Sequence, residues 1–188
     1  MTLRVMLISP AAGPALRAAR FDDGSPLDEP GIRRAREAAG SVPRAARVLT
    51  APSARCRGTA EALGLAADAA DAPADLDVGR WRGRSLEELT AGEPAAVAAW
   101  LSDPGAAPHG GESLRDLLAR VGSWLDGLPP EEGRVLAVVE PAVVRAAAVH
   151  ALGLPPEVFW RLDVPPLTLT ELTGRSSRWN LRCGRPLA

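Results

Sequence analysis

The apolar positions of this chain fall into short solid runs separated by longer amphipathic stretches. Leu3–Ile8, Arg47–Thr50 and Val135–Val139 are compact runs of the kind buried on both faces of a parallel sheet, and Leu167–Leu172 and Arg178–Arg182 read as later strands. Between them, Leu114, Leu117, Leu118, Val121 and Leu125 recur at helical spacing. Glu29-Pro30-Gly31 opens a helix predicted to reach Ala39, and Thr59–Leu63 is helical and closes at Gly64. Ser85–Leu101 reads as two short helices parted at Gly92-Glu93-Pro94, and Ala142–Leu152 as another that ends at Gly153. This alternation predicts a three-layer α/β/α sandwich around a mostly parallel central sheet, in one domain over residues 1–188.

In such sheets ligands bind at the carboxyl ends of the strands. Ser9, Pro10, Pro52 through Arg55, and Glu140 all fall at those ends. A charged side chain directly after a buried apolar strand needs a reason, which singles out Glu140.

Composition narrows the chemistry by exclusion. All 22 basic residues are arginine, so neither a Schiff-base lysine nor a phosphate-loop lysine is available. A net charge of -1 offers no field for nucleic acid or an anionic membrane. No apolar run is long enough to span a bilayer, and the start lacks a basic-then-apolar signal pattern, so a soluble cytoplasmic protein is expected. Cys56 and Cys183 form neither a disulfide framework nor a metal motif, and reduced thiols are expected. With His109 and His150 far apart in sequence and no cysteine cluster, neither a metal site nor a cofactor is expected.

Five segments, in chain order, carry a resemblance. Thr50-Ala-Pro-Ser-Ala-Arg-Cys-Arg-Gly-Thr-Ala-Glu-Ala-Leu63 resembles the "SSP, two residues, R, three residues, TAE" signature of the histidine phosphatase superfamily, also called phosphoglycerate mutase-like. Phe21 through Gly31, with Pro26-Leu27, is similar to the segment after that family's first catalytic loop. Asp75-Leu-Asp-Val-Gly-Arg-Trp-Arg-Gly83, followed by Ser85-Leu-Glu-Glu-Leu89, is similar to its acidic "D, x, G, x, W, x, G" stretch. His109-Gly-Gly-Glu-Ser-Leu114 resembles its "GGES" helix start. Val135 through Ala146, then Leu152-Gly-Leu-Pro155 and Phe159-Trp160, resembles its last catalytic strand and helix.

The resemblance implies an Arg-His-Gly triplet after the first strand, whose histidine attacks phosphorus. A second histidine and two arginines would hold the phosphoryl oxygens, and an acid would protonate the leaving group. This chain has Ser9, Pro10 and Ala11 at the triplet and Glu140 at the second histidine, while Arg55, Asp75 and Glu112 match. Proline offers no lone pair for attack, and a carboxylate facing a phosphate repels it unless it is protonated or bridged by a cation.

Each candidate has a functional and a structural reading. Arg55 is either an anion clamp in the cleft or the internal partner of Glu140 or Glu112. If Asp75, Glu112 and Glu140 converge, their repulsion raises one pKa and sets a proton donor beside an acceptor. Glu112 alternatively caps the first turn of its helix. Ser9 is a ligand contact or a strand-end hydroxyl. His109 is an acid–base group at the cleft mouth or, as the resemblance implies, part of a loop scaffold, and Trp81 walls the ligand cleft or packs in the core. His150 reads as a surface or packing residue.

Three functions follow. The preferred one is a non-phosphatase that binds a polar or anionic small molecule in the former phosphate cleft. There Glu140, Asp75 and Glu112 supply acid–base catalysis, and Arg55, Ser9, His109 and Trp81 contact the ligand. The second is a pseudophosphatase that acts as a binding or scaffold protein, and the third is a phosphatase with an unconventional nucleophile. The expected partner is a small molecule rather than nucleic acid or membrane, with the oligomeric state, a homodimer included, left open.

Overall fold

The structure, a computed structural model, describes residues 2–175 and 178–187. Among them six strands form one sheet: β1 (Leu3–Ile8), β2 (Arg47–Thr50), β3 (Asp68–Ala69), β4 (Arg134–Val138), β5 (Thr168–Arg175) and β6 (Arg178–Pro186). Their order is β3-β2-β4-β1-β5-β6. The first four run parallel, while β5 is antiparallel to both of its neighbours. This is the expected mostly parallel α/β sandwich. The core strands are apolar because they are central: every residue of β1 except Arg4 is buried, as is β4 beyond Arg134.

The helices are α1 (Pro14–Arg17), α2 (Glu29–Ala38), α3 (Ala54–Ala62), α4 (Leu86–Gly92), α5 (Pro94–Ser102), α6 (Leu114–Asp126) and α7 (Pro141–Leu152). Contacts join α2 with α3 and α6 with α7. Local chemistry sets most of their starts. Asp28, Ser53, Ser85 and Ser113 each accept a hydrogen bond from a backbone N–H in the first turn. Ser85 and Glu88 complete a reciprocal capping box.

The boundaries expected from the pattern hold for α2, for the α4–α5 break and for α7 to within a residue or two. Helix α3 begins five residues earlier than Thr59. Its buried face is Cys56, Thr59 and Ala60, residues too small or polar to register as an apolar stripe. Strand β6 runs to Pro186, beyond the expected Arg182, because its pairing with β5 carries it on. The two-residue β3 and the single turn α1 carry no periodic signal, and both lie outside the expected elements.

Register positions the site. Ile8 of β1 and Thr50 of β2 both pair with Val138 of β4, so the three strands finish level. The residues that follow each strand therefore emerge at one edge of the sheet. The side chain of Cys183 lies outside those described, and Cys56 is a free, buried thiol.

Candidate functional site

At that edge the Arg55 guanidinium meets the Glu140 carboxylate. Arg55 Nε donates to Glu140 Oε1 at 3.3 Å and its Nη2 donates to Oε2, a two-pronged pair. Ser53 Oγ donates to Glu140 Oε1 at 2.7 Å while accepting from the Cys56 N–H at 3.0 Å. The Glu140 side chain is fully buried and that of Arg55 is 11% exposed. Glu140 occupies the N-cap position of α7, yet its side chain caps no backbone N–H and turns to the arginine instead. A planar fork gripping a carboxylate is the strongest geometry available to such a pair. The internal pairing considered for Arg55 is thus the arrangement present.

Beside this pair opens a cleft of about 970 Å³. Asp75 lies on its wall, and burial together with the nearby Glu140 pushes its carboxyl up to about 7. Asp22 lines the same cleft and is raised in the same direction by burial and by Glu140. Neither acid has an ion-pair partner among the described residues; Asp75 accepts locally from the Leu76 N–H at 2.8 Å. A half-buried carboxyl that titrates near neutrality can both give and take a proton.

The loops behind Asp75 are braced by backbone and by Arg120. Asp77 O accepts from Glu112 N at 2.8 Å and His109 O accepts from Arg80 N at 3.1 Å, which zips the two loops together. A Cβ on Gly79 would collide with the His109 carbonyl, and one on Gly111 with the Asp77 carbonyl, so both positions need glycine for close approach. Arg120 Nε and Nη2 hold Glu112 at 2.8 and 2.7 Å, while its other N–H groups reach the carbonyls of Ala72, Ala74 and Asp75.

This geometry separates the expected site residues. Asp75 and Glu140 are brought close enough to influence each other, but Glu140 does not line the cleft, so it is placed to anchor Arg55 rather than to touch a ligand. Glu112 faces Arg120 instead of joining them, and the helix cap expected of it is supplied by Ser113. Ser9 is buried and turned away, donating to Pro165 O at 2.6 Å and accepting from Thr168 N at 3.0 Å. Pro10, its neighbour, is also buried. His109 is 2% exposed; its Nδ1 accepts from the Gly111 N–H at 3.0 Å, and its ring meets Trp81 edge-on. Trp81 is fully buried among Phe21, Trp100 and His109, a core residue and not a cleft wall. His150 bonds Asp126 at 2.9 Å, between α6 and α7.

Three residues of the site escape the pattern reading: Asp22, Arg120 and Arg145. Arg145 carried a usable signal, since it is the single full charge within α7, whose core-facing positions are valine and alanine. Trp100, Phe159 and Trp160 also border the cleft. Among the described residues no group of three or more His, Cys, Asp or Glu side chains is arranged to hold a metal, and no helix is long and apolar enough to cross a membrane.

The family model "Histidine phosphatase superfamily (branch 1)" matches residues 15–184. The chain belongs to that superfamily. Rv2228c of Mycobacterium tuberculosis, described as a bifunctional protein, is 32% identical over 160 residues, covering 79% of this chain and 44% of the relative. The chain thus spans less than half the length of the curated relatives it matches. Among solved structures, a phosphoserine phosphatase mutant from Entamoeba histolytica in complex with phosphoserine superposes with a TM-score of 0.87 at 16% identity, over 98% of each chain. The α-ribazole phosphatase of Shigella flexneri gives 0.85 at 20% identity, over 99% of this chain and 98% of that one. A mycobacterial glucosyl-3-phosphoglycerate phosphatase gives 0.82 at 22% identity, over 99% of this chain and all of that one. Likenesses at this identity establish the shared fold.

Proposed function

We propose that this superfamily member lacks both catalytic histidines, binds a polar small molecule in its cleft, and performs no phosphoryl transfer. Asp75 is the acid that exchanges protons with the ligand. One observation carries the reading: the Arg55 guanidinium already holds an anion, and that anion is the buried Glu140 of its own chain. An incoming phosphoryl group would have to displace a carboxylate that has no route to solvent, and would then face its charge. Pro10 stands where the family resemblance calls for a nucleophilic histidine, and its ring nitrogen has no electron pair to offer.

The acid–base part of the reading now rests on Asp75 alone. Its carboxyl, held near pH 7, suits isomerase, lyase or hydrolase chemistry on a ligand with a proton within reach. With a ligand that offers no such proton, the same cleft serves as a binding module.

A phosphatase reading draws on the names of the solved relatives, which are phosphatases of phosphoserine, α-ribazole phosphate and glucosyl-3-phosphoglycerate. The two readings separate in one assay. Purified protein incubated with p-nitrophenyl phosphate is expected to release phosphate no faster than buffer and to form no acid-labile phosphoprotein. Release above the blank that disappears in Arg55→Ala overturns the proposal and establishes the phosphatase.

A further inference from the structure

Where Arg145 and Trp100 border the cleft, two buried hydrogen-bond donors have no partner within the protein among the described residues: Arg145 Nε and Trp100 Nε1. Arg145 rises from α7 with its guanidinium carbon 5.8 Å from the centre of the Phe159 ring. Phe159 meets Trp160 edge-on at 4.8 Å, and Trp160 leans on Trp100 at 4.3 Å. The four side chains form one contiguous group that borders the cleft. Trp100 is 5% exposed.

This arrangement is costly for the protein alone. A buried donor without an acceptor loses roughly 1–3 kcal/mol, and a partly buried guanidinium without a bonded counter-ion loses more. Packing does not demand it, because a methionine fills the same volume without the charge. Asp163 and Asp75 lie near enough to act on the guanidinium electrostatically, yet neither makes an ion pair with it. The contrast with Arg55 is direct, since that guanidinium is fully engaged inside the chain. Arg145 also borders a second cavity of about 310 Å³, so the space on its far side is open as well.

We propose that this part of the cleft is a binding site for a ring-bearing carboxylic acid. The ligand carboxylate accepts from Arg145 and its ring lies along the partly exposed Trp160. This assignment rests on the reading of the cleft as a small-molecule site and names the ligand class for it.

The test is calorimetric titration of the whole chain with 4-acetylbenzoate, which carries a carboxylate on a ring. Acetophenone, which lacks the carboxylate, and inorganic phosphate, which lacks the ring, serve as comparators. The acid is expected to bind at least about tenfold more tightly than acetophenone, with phosphate not competing. Arg145→Met is expected to abolish that preference, and Trp160→Ala, which removes the ring surface, to weaken the acid by about tenfold. Because the arginine serves the ligand, Arg145→Met in the absence of ligand is expected to keep or raise the melting temperature. Equal binding of acid and ketone, unchanged binding by Arg145→Met, or a melting temperature that falls in that variant overturns the subsite. None of these results touches the phosphate-release assay, whose positive outcome overturns the function proposed above on its own.

Discussion

Arg55 and Arg145 both border the cleft, but among the described residues only Arg55 of the two has a bonded counter-ion. Around Arg55, carboxylate, guanidinium and serine hydroxyl satisfy one another with Glu140 fully buried. Around Arg145 the cleft is bordered by aromatic residues, and Arg145 Nε and Trp100 Nε1 have no acceptor among the described residues. Asp75 lies near enough to both arginines to act on them electrostatically, and its own carboxyl is raised chiefly by burial. The Arg55 guanidinium is neutralised from within the chain, while the space beside it stays open as a cleft.

The sharpest way to break this comparison is Glu140→Ala. Leaving Arg55 buried without its partner is expected to cost about 3–5 kcal/mol, read as a fall in the thermal or urea midpoint. Added phosphate should recover part of that loss in the variant and do little for the parent, because only the variant offers Arg55 to an outside anion. Equal phosphate effects on the two proteins would mean that Arg55 is not a masked anion site.

Arg120→Met tests whether Asp75 is held in place by design of the loops. Loss of the charged bonds to Glu112 and of those to the loop carbonyls is expected to cost on the order of 2 kcal/mol. It should also let the Asp75 carboxyl drift down towards the ordinary carboxylate range as the loop admits water, which a carbon-detected NMR titration follows. An unmoved Asp75 titration would separate Arg120 from the site.

The smallest expected effect belongs to Asp75→Asn and depends on pH. The folded carboxyl titrates near 7, above its value of 3.8 when free, so between these two values the native state holds the extra proton. Stability therefore falls as pH rises through that window and is lowest above it, where the buried side chain is charged. Asparagine removes this dependence: no gain is expected at pH 4, and a gain of about 1 kcal/mol or more at pH 8. A gain of the same size at both values would show that the acid is not held neutral by the fold.

Much of the frame was readable before any coordinates. The strands Leu3–Ile8 and Arg47–Thr50, the break at Gly92-Glu93-Pro94 and the amphipathic α6 follow from periodicity and capping, which act within a few residues of one another. The motif glycines were visible too, but their purpose was not. Gly79 and Gly111 matter because two loops distant in sequence touch there.

The roles of the charged residues were the least legible. Glu112, Glu140 and Asp75 are chemically interchangeable on the page, and each could have been an acid at the site. Tertiary placement gave them three fates: Glu112 braces a loop through Arg120, Glu140 fills the Arg55 clamp, and Asp75 alone faces the cleft. Arg55 and Glu140 lie 85 residues apart, and nothing local links them. They meet because β2 and β4 pair in a register that ends both strands level. The sequence by itself determined most of the strands and helices and set Pro10 and the charged Glu140 at the ends of apolar strand runs. The tertiary structure decided which charges neutralise one another and which are left for a ligand, because charge pairing depends on distance and burial, and both are set only when the sheet assembles.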